Sequence, residues 1–139
     1  MPAPDFLDTN ILIYAYDDSS DTRKQELARE LIRRAIGGDA VVSSQVLAEF
    51  AATLLHKMTP PASAQEVAAI LDALNPIRTL PTDFEMIRRA TEVHGKYKLH
   101  IYDALILAAA ERAGAERVLS EDLNAGQRYV GVRVENPFA

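Results

Sequence analysis

The 139-residue sequence contains no cysteine. That absence excludes a disulfide framework, a zinc site built on thiolates and catalysis by a cysteine nucleophile. No apolar run approaches the roughly 20 residues of a membrane-spanning helix. The N-terminal MPAPDFLDTN also has neither the basic segment nor the apolar stretch of a signal peptide. We therefore expect a cytoplasmic protein that does not enter a membrane.

Basic residues are in the minority. The chain has 15 Lys and Arg against 20 Asp and Glu, which gives a net charge of −5. This is the wrong sign for a protein that holds nucleic acid across a broad basic surface. An RNA partner is therefore expected to be held by local basic patches or through metal ions.

The length and composition are those of a single folded domain. No Gly/Ser-rich or Pro-rich stretch divides the chain, and 48% of its residues are hydrophobic, so a core can form without a structural metal. We expect one domain over residues 1–139.

Short apolar stretches alternate with longer segments of helical period. This alternation predicts an α/β fold with a mostly parallel central sheet. The predicted strands cover residues 5–8, 40–43, 76–80, 117–120 and 131–135.

Helix ends are marked more clearly than strand ends. Ser63 with Glu66, and Thr82 with Glu85, have the spacing of a capping box. The predicted helices cover residues 21–36, 44–57, 64–74, 83–96 and 102–113. The second and the fifth of these are apolar on most sides, so both are expected to lie deep in the fold.

Four carboxylates stand inside or beside apolar segments. They are Asp8 in FLDTNILIY, Glu49 in VLAEFAATLL, Asp103 before ALILAAA and Asp122 after RVLS. These surroundings predict at least partial burial. Since a buried carboxylate is costly unless a cation or hydrogen bonds offset its charge, the four residues need a common explanation.

A shared acidic cluster would explain them together. Asp8 and Asp122 follow predicted strands, and ligands of open parallel sheets bind beyond the carboxyl ends of the strands. Asp103 falls in the first turn of a helix, where the dipole favours an anion, and Glu49 can lean over the same edge. Oxygen ligands of this kind suit Mg²⁺ or Mn²⁺. The three histidines, His56, His94 and His100, lack ligand spacing and are expected at the surface.

Each carboxylate also has an ordinary structural alternative. Asp8 is a good cap for a helix that begins near Asn10. Glu49 is compatible with a solvent-facing position on an amphipathic helix, Asp103 with a dipole partner at a helix start, and Asp122 with a turn.

Four segments carry a family resemblance, in order along the chain. FLDTNILIYAYD, SSQVLAEF, IYDALILAAA and LSEDLNAGQRYVGVRVENPF resemble the acidic motifs of PIN-domain nucleases, and specifically of VapC toxins. The resemblance implies a three-layer sandwich with helices flanking the sheet. It implies that Asp8, Glu49, Asp103 and Asp122 are catalytic and hold the metal, with Asn10 and Ser120 as supporting or substrate contacts. Tyr102 stands where relatives often have tryptophan, and its ring is expected to serve in packing.

The resemblance also implies a function. It indicates a Mg²⁺- or Mn²⁺-dependent endoribonuclease, the toxin of a VapBC-type pair, with a small antitoxin as partner and a homodimer as assembly. Segment 94–100, with Lys96, Tyr97 and Lys98, is a candidate for holding phosphate and stacking a base. The alternatives are a non-catalytic PIN-like interaction module and a haloacid-dehalogenase-like phosphatase, which would need a second acid where this chain has Asn10.

Overall fold

A computed structural model describes residues 2–19 and 21–139. The strands are β1 (Asp5–Leu7), β2 (Ala40–Ser43), β3 (Arg78–Leu80), β4 (Arg117–Leu119), β5 (Arg128–Tyr129) and β6 (Val132–Glu135). The helices are α1 (Thr9–Tyr16), α2 (Thr22–Ile36), α3 (Ser44–His56), α4 (Ala64–Leu74), α5 (Phe84–Tyr97) and α6 (Ile101–Arg112).

The strands form one sheet in the order β3-β2-β1-β4-β6-β5. All pairs are parallel except β5 with β6, which is antiparallel. Each predicted strand is present, whereas β5 was not predicted. The parallel strands place their carboxyl ends at one edge of the sheet, which we call the C-terminal edge, and their starts at the opposite N-terminal edge.

Helices flank this sheet and close a single hydrophobic core. Helix α6 lies over β2, β4 and β6, and its residues 104–110 are all buried. Four alanines in that stretch let the helix approach the strands closely. The prediction that this helix lies deep in the fold is therefore confirmed.

Helix α3 is shallower than predicted. It buries one stripe, Val46, Phe50 and Leu54, while Ala48 and Glu49 are exposed. The prediction of a deep helix here is wrong, because alanines on the outer face made an amphipathic helix look apolar on most sides.

One of the two predicted capping boxes is present. The Ser63 hydroxyl accepts from the Glu66 amide, and the Glu66 carboxylate accepts from the Ser63 amide, each at 3.1 Å. The pairing of Thr82 with Glu85 is wrong: the cap of α5 is Asp83, whose carboxylate accepts from the Met86 amide at 2.9 Å. The Thr82 hydroxyl instead accepts from the Gln45 amide at the start of α3.

Within the described ranges, no helix combines the length and the apolar character needed to cross a membrane.

Candidate active site

Asp8 lies at the C-terminal edge, between the end of β1 and the start of α1. Its amide donates to the Leu119 carbonyl, which ties it to the end of β4. One carboxylate oxygen accepts from the Thr9 amide and the other from the Ser120 hydroxyl, both at 2.7 Å. Asp8 is thus the cap of α1, as the structural alternative proposed, and it also faces the neighbouring strand end.

Ser120 and Asn10 extend this contact into a network. The Ser120 hydroxyl, which is fully buried, accepts from the amides of Asp122 and Leu123 at 3.1 and 3.3 Å. The Asn10 side-chain amide donates to Ser120 Oγ at 3.3 Å and to Asp122 Oδ2 at 3.1 Å. Asp8, Ser120, Asn10 and Asp122 therefore form one continuous hydrogen-bonded unit across β1 and β4.

Burial dominates the electrostatics of Asp8. The residue is 7% exposed, and this desolvation raises the pKa of its carboxyl from 3.8 to about 6. Hydrogen bonds from Ser120 and the Thr9 amide oppose the increase, while repulsion from Asp122 and Glu49 adds to it. Asp8 is the expected buried acid, and the charges of two other predicted site residues, Asp122 and Glu49, add to the increase in its pKa.

Asp103 and Asp122 share this neighbourhood but are less buried. Asp103 lies in the first turn of α6, where partial burial raises the pKa of its carboxyl; His100 opposes the increase and Asp122 adds to it. Asp122 is exposed, so the prediction of partial burial is wrong at this position. Repulsion from Asp122 nevertheless contributes to the raised pKa values of both Asp8 and Asp103, so its carboxylate lies near both.

Glu49 is also exposed, against the expectation of partial burial. Its carboxylate accepts from Gln45 Nε2 at 2.6 Å, and the same nitrogen donates to the Tyr102 carbonyl at 3.0 Å. Gln45 therefore joins α3 to the first turn of α6, beside Asp103. The Oε1 atom of Gln45 is buried and has no hydrogen-bond partner among the described residues, and neither does Thr9 Oγ1.

The donor chemistry of this site fits a hard divalent cation. In residues 2–19 and 21–139, none of the four carboxylates forms an ion pair with lysine or arginine. The ligand atoms that these four side chains offer are all oxygens. No three His, Cys, Asp or Glu side chains of the same ranges already converge as metal ligands.

Sequence reasoning misjudged one of two tyrosines. The Tyr97 hydroxyl accepts from the Val130 amide at 2.9 Å, and its ring packs edge-on against Tyr129 at 5.0 Å. These contacts hold the Tyr97 ring against β5, and its role in stacking a base stays a prediction. Tyr102 is 59% exposed and does not serve as core packing. The histidines are exposed, as predicted.

A polar brace beside the network was not predicted. Glu121 accepts from the Tyr14 hydroxyl and from Lys24 Nζ, both at 2.7 Å, and its amide donates to Asn10 Oδ1. The brace joins α1 and α2 to the loop that carries Asp122. Glu121 and Gln45 were missed because their partners are distant in sequence and neither residue interrupts an apolar run.

The fold and the site together define a class: an α/β domain with an acidic centre at the C-terminal edge of a mostly parallel sheet. A family model described as "PIN domain" matches residues 6–130. The chain therefore belongs to the PIN-domain family, as the sequence resemblance indicated. The predicted fold class is confirmed.

Solved structures share this fold along almost the whole chain. A chain of the DNA-bound VapBC complex from Salmonella typhimurium has a TM-score of 0.71 and 19% identity, covering 98% of this chain and 99% of that one. FitAcB from Neisseria gonorrhoeae has a TM-score of 0.67 and 17% identity over 96% and 98%. VapC20 of Mycobacterium tuberculosis, described as a sarcin-ricin loop cleaving toxin, has a TM-score of 0.64 and 20% identity over 93% and 98%. No curated protein matched the chain.

Proposed function

We propose that this protein is a divalent-metal-dependent endoribonuclease, the toxin of a VapBC-type toxin–antitoxin pair. The observation that carries the proposal is the acidic site itself: four carboxylates without a basic partner among the described residues, at the edge of a PIN-domain sheet. The similar solved structures include toxin–antitoxin complexes and one toxin described as cleaving RNA of the sarcin-ricin loop.

Asp8, Asp103, Glu49 and Asp122 would hold the metal, which we propose to be Mg²⁺ or Mn²⁺. A bound divalent ion lowers the pKa of water and neutralises charge on a phosphodiester during hydrolysis. Ser120 and the Thr9 amide hold the Asp8 carboxylate in one orientation by occupying one lone pair on each oxygen.

Asn10 and Gln45 position the two exposed acids. Asn10 donates to Asp122 and Gln45 donates to Glu49, so each side-chain amide restricts a carboxylate that solvent would otherwise leave mobile. These contacts keep both acids near Asp8 although neither is buried. We propose Asn10 and Ser120 as supporting residues, and Gln45 as a further one.

Metal-dependent cleavage of RNA tests the proposal directly. Purified protein is incubated with an end-labelled folded RNA in Mg²⁺ or Mn²⁺, with EDTA, and as the variants Asp8→Asn and Asp103→Asn. We expect cleavage only with metal, and loss to the level of a no-enzyme reaction in both variants, because each change removes a ligand charge at nearly constant size. Asp72→Asn, an exposed carboxylate on α4, is the matched control and should cleave normally.

Full cleavage in excess EDTA, or by Asp8→Asn with contamination excluded, would contradict a metal nuclease. A folded chain that binds RNA without cleaving it under any metal condition would favour the non-catalytic PIN-like module instead.

We also propose a small antitoxin as partner and a homodimer as assembly, both in the cytoplasm. The support is that similar solved structures are described as VapBC, FitAcB and a toxin–antitoxin complex. Co-expression with candidate small antitoxin proteins, followed by co-purification and light scattering, tests both points. If the protein is a monomer and co-purifies with none of these candidates, both proposals are contradicted.

A further inference from the structure

A groove runs along the N-terminal edge of the sheet, opposite the acidic site. Its volume is about 1170 Å³, and three acidic side chains line it beside five arginines. The arginines come from the end of α2 and from four strands: Arg34, Arg78, Arg117, Arg128 and Arg133. This groove is the place where an acidic chain gathers positive charge.

The arginines in the middle of the groove are already paired. Arg117 contacts Asp5 and Glu135, and Arg133 contacts Glu135. The Arg117 pairs join β1, β4 and β6, with Arg117 directly opposite Asp5 in the sheet, and the pair of Arg133 with Glu135 lies within β6. Their charges are balanced within the protein, so they stabilise the sheet edge more than they attract a ligand.

The arginines at the two ends are different. Arg78 and Arg128 are exposed and form no ion pair or side-chain hydrogen bond with any described residue. They belong to β3 and β5, the two outermost strands of the sheet. With strands about 4.8 Å apart, five spacings put the two positions roughly 24 Å apart. A ligand that uses both must therefore be an extended polyanion, because a single phosphate cannot reach from one to the other.

We propose that this groove binds the phosphate backbone of the RNA substrate away from the bond that is cut. The inference rests on the proposed function and deepens it. The catalytic edge carries four unpaired carboxylates and the whole chain has a net charge of −5, so a second surface with free arginines would add electrostatic attraction for RNA to that of a bound metal ion.

The two edges are close enough to serve one RNA molecule. Asp5, at the groove, and Asp8, in the acidic site, are separated by three residues of extended chain, roughly 10 Å. A folded RNA presents backbone on several sides and can contact both edges, whereas a dinucleotide bound at the acidic site has a single phosphodiester and cannot also contact the groove. The groove therefore favours folded or long RNA over short oligonucleotides.

Binding of RNA in EDTA measures the groove without requiring cleavage. Fluorescence anisotropy compares the native protein with Arg78→Gln, Arg128→Gln and the double variant, using a folded RNA and a labelled dinucleotide. The matched control is Lys57→Gln, which removes one exposed positive charge at the end of α3, outside the groove. Thermal melts verify that all variants fold.

We expect the double variant to bind the folded RNA roughly tenfold more weakly than the native protein. The slope of log Kd against log salt should fall by about 0.7 for each phosphate contact that is lost. Binding of the dinucleotide by the double variant, and binding of either RNA by Lys57→Gln, should change little.

Equal affinities and salt slopes for the native protein and the double variant would overturn the inference, even if cleavage of RNA by the native protein supports the proposed function. Loss of affinity in the double variant, together with no metal-dependent cleavage by the native protein, would support RNA binding in the groove and contradict the proposed function. Complete competition by stoichiometric inorganic pyrophosphate would also overturn the inference, because it would indicate a site for a small phosphate.

Discussion

Replacing Asp8 by asparagine should stabilise the metal-free protein at neutral pH. Burial raises the pKa of the Asp8 carboxyl from 3.8 to about 6. At 1.36 kcal/mol for each pKa unit, holding this carboxylate ionised in the folded protein costs about 3 kcal/mol. Asparagine removes that cost. It also leaves either the Thr9 amide or the Ser120 hydroxyl without an acceptor, because asparagine keeps only one oxygen, at about 1 kcal/mol. The free energy of unfolding should therefore rise by about 2 kcal/mol at pH 7.5.

The sign of this effect depends on pH. Because the folded-state pKa of Asp8 is raised, the native protein loses stability as pH rises from about 4 through about 6. Near pH 4 the Asp8 carboxyl is protonated in the folded state and the desolvation cost is absent, so asparagine should be neutral or slightly destabilising there. Urea unfolding of both proteins in EDTA, at pH 4 and at pH 7.5, measures the change.

Asp39→Asn is the control, because it removes one exposed negative charge away from the site and so reports the general effect of net charge. The native and Asp8→Asn proteins should differ in unfolding free energy by different amounts at the two pH values. An equal difference at pH 4 and pH 7.5 would refute the expected link between the raised pKa of Asp8 and stability. It would mean that Asp8 is not held ionised at a cost, and that its hydrogen bonds and local solvation compensate for burial.

Three further outcomes are expected. Ser120→Ala should lower the free energy of unfolding, measured by urea unfolding, by about 2 kcal/mol, because the Asp122 amide, the Leu123 amide and the Asp8 carboxylate all lose a buried partner. An unchanged urea midpoint would show that water replaces the hydroxyl. Gln45→Ala should leave thermal stability nearly unchanged but weaken Mn²⁺ affinity, measured by calorimetry, roughly tenfold, because Glu49 loses the hydrogen bond that restricts it. An Mn²⁺ affinity equal to that of the native protein would exclude this positioning role for Gln45. Added Mn²⁺ should raise the melting temperature of the native protein more than that of Asp103→Asn, and equal increases would mean that Asp103 is not a ligand.

The sheet was predictable because its strands are short apolar runs separated by helical segments. All five predicted strands are present, and their shared edge follows from parallel pairing alone. The strand that was missed, β5, has two residues, Arg128 and Tyr129, and no pattern can appear over that length. Its place in the sheet depends on antiparallel pairing with β6, which is a tertiary contact.

Exposure within the site was less predictable than position. An acid in an apolar stretch indicates burial only if every face of that stretch is covered. Helix α3 is covered along Val46, Phe50 and Leu54, and Glu49 lies outside that stripe. Gln45 illustrates the same limit: its contact with the Tyr102 carbonyl joins residues 57 apart in sequence, and no local pattern reports such a contact.

The helix starts explain how so many negative charges are tolerated at one edge. Helix α1 begins directly after Asp8, α3 begins after β2 at the same edge, and α6 holds Asp103 in its first turn. Each helix start carries about half a positive charge and stabilises a nearby anion by about 0.3–1 kcal/mol. These contributions are smaller than the cost of about 3 kcal/mol for Asp8, so they reduce the cost of its buried charge without removing it. The remaining imbalance is what a divalent cation would relieve, and for that reason metal binding and folding stability should be linked in this protein.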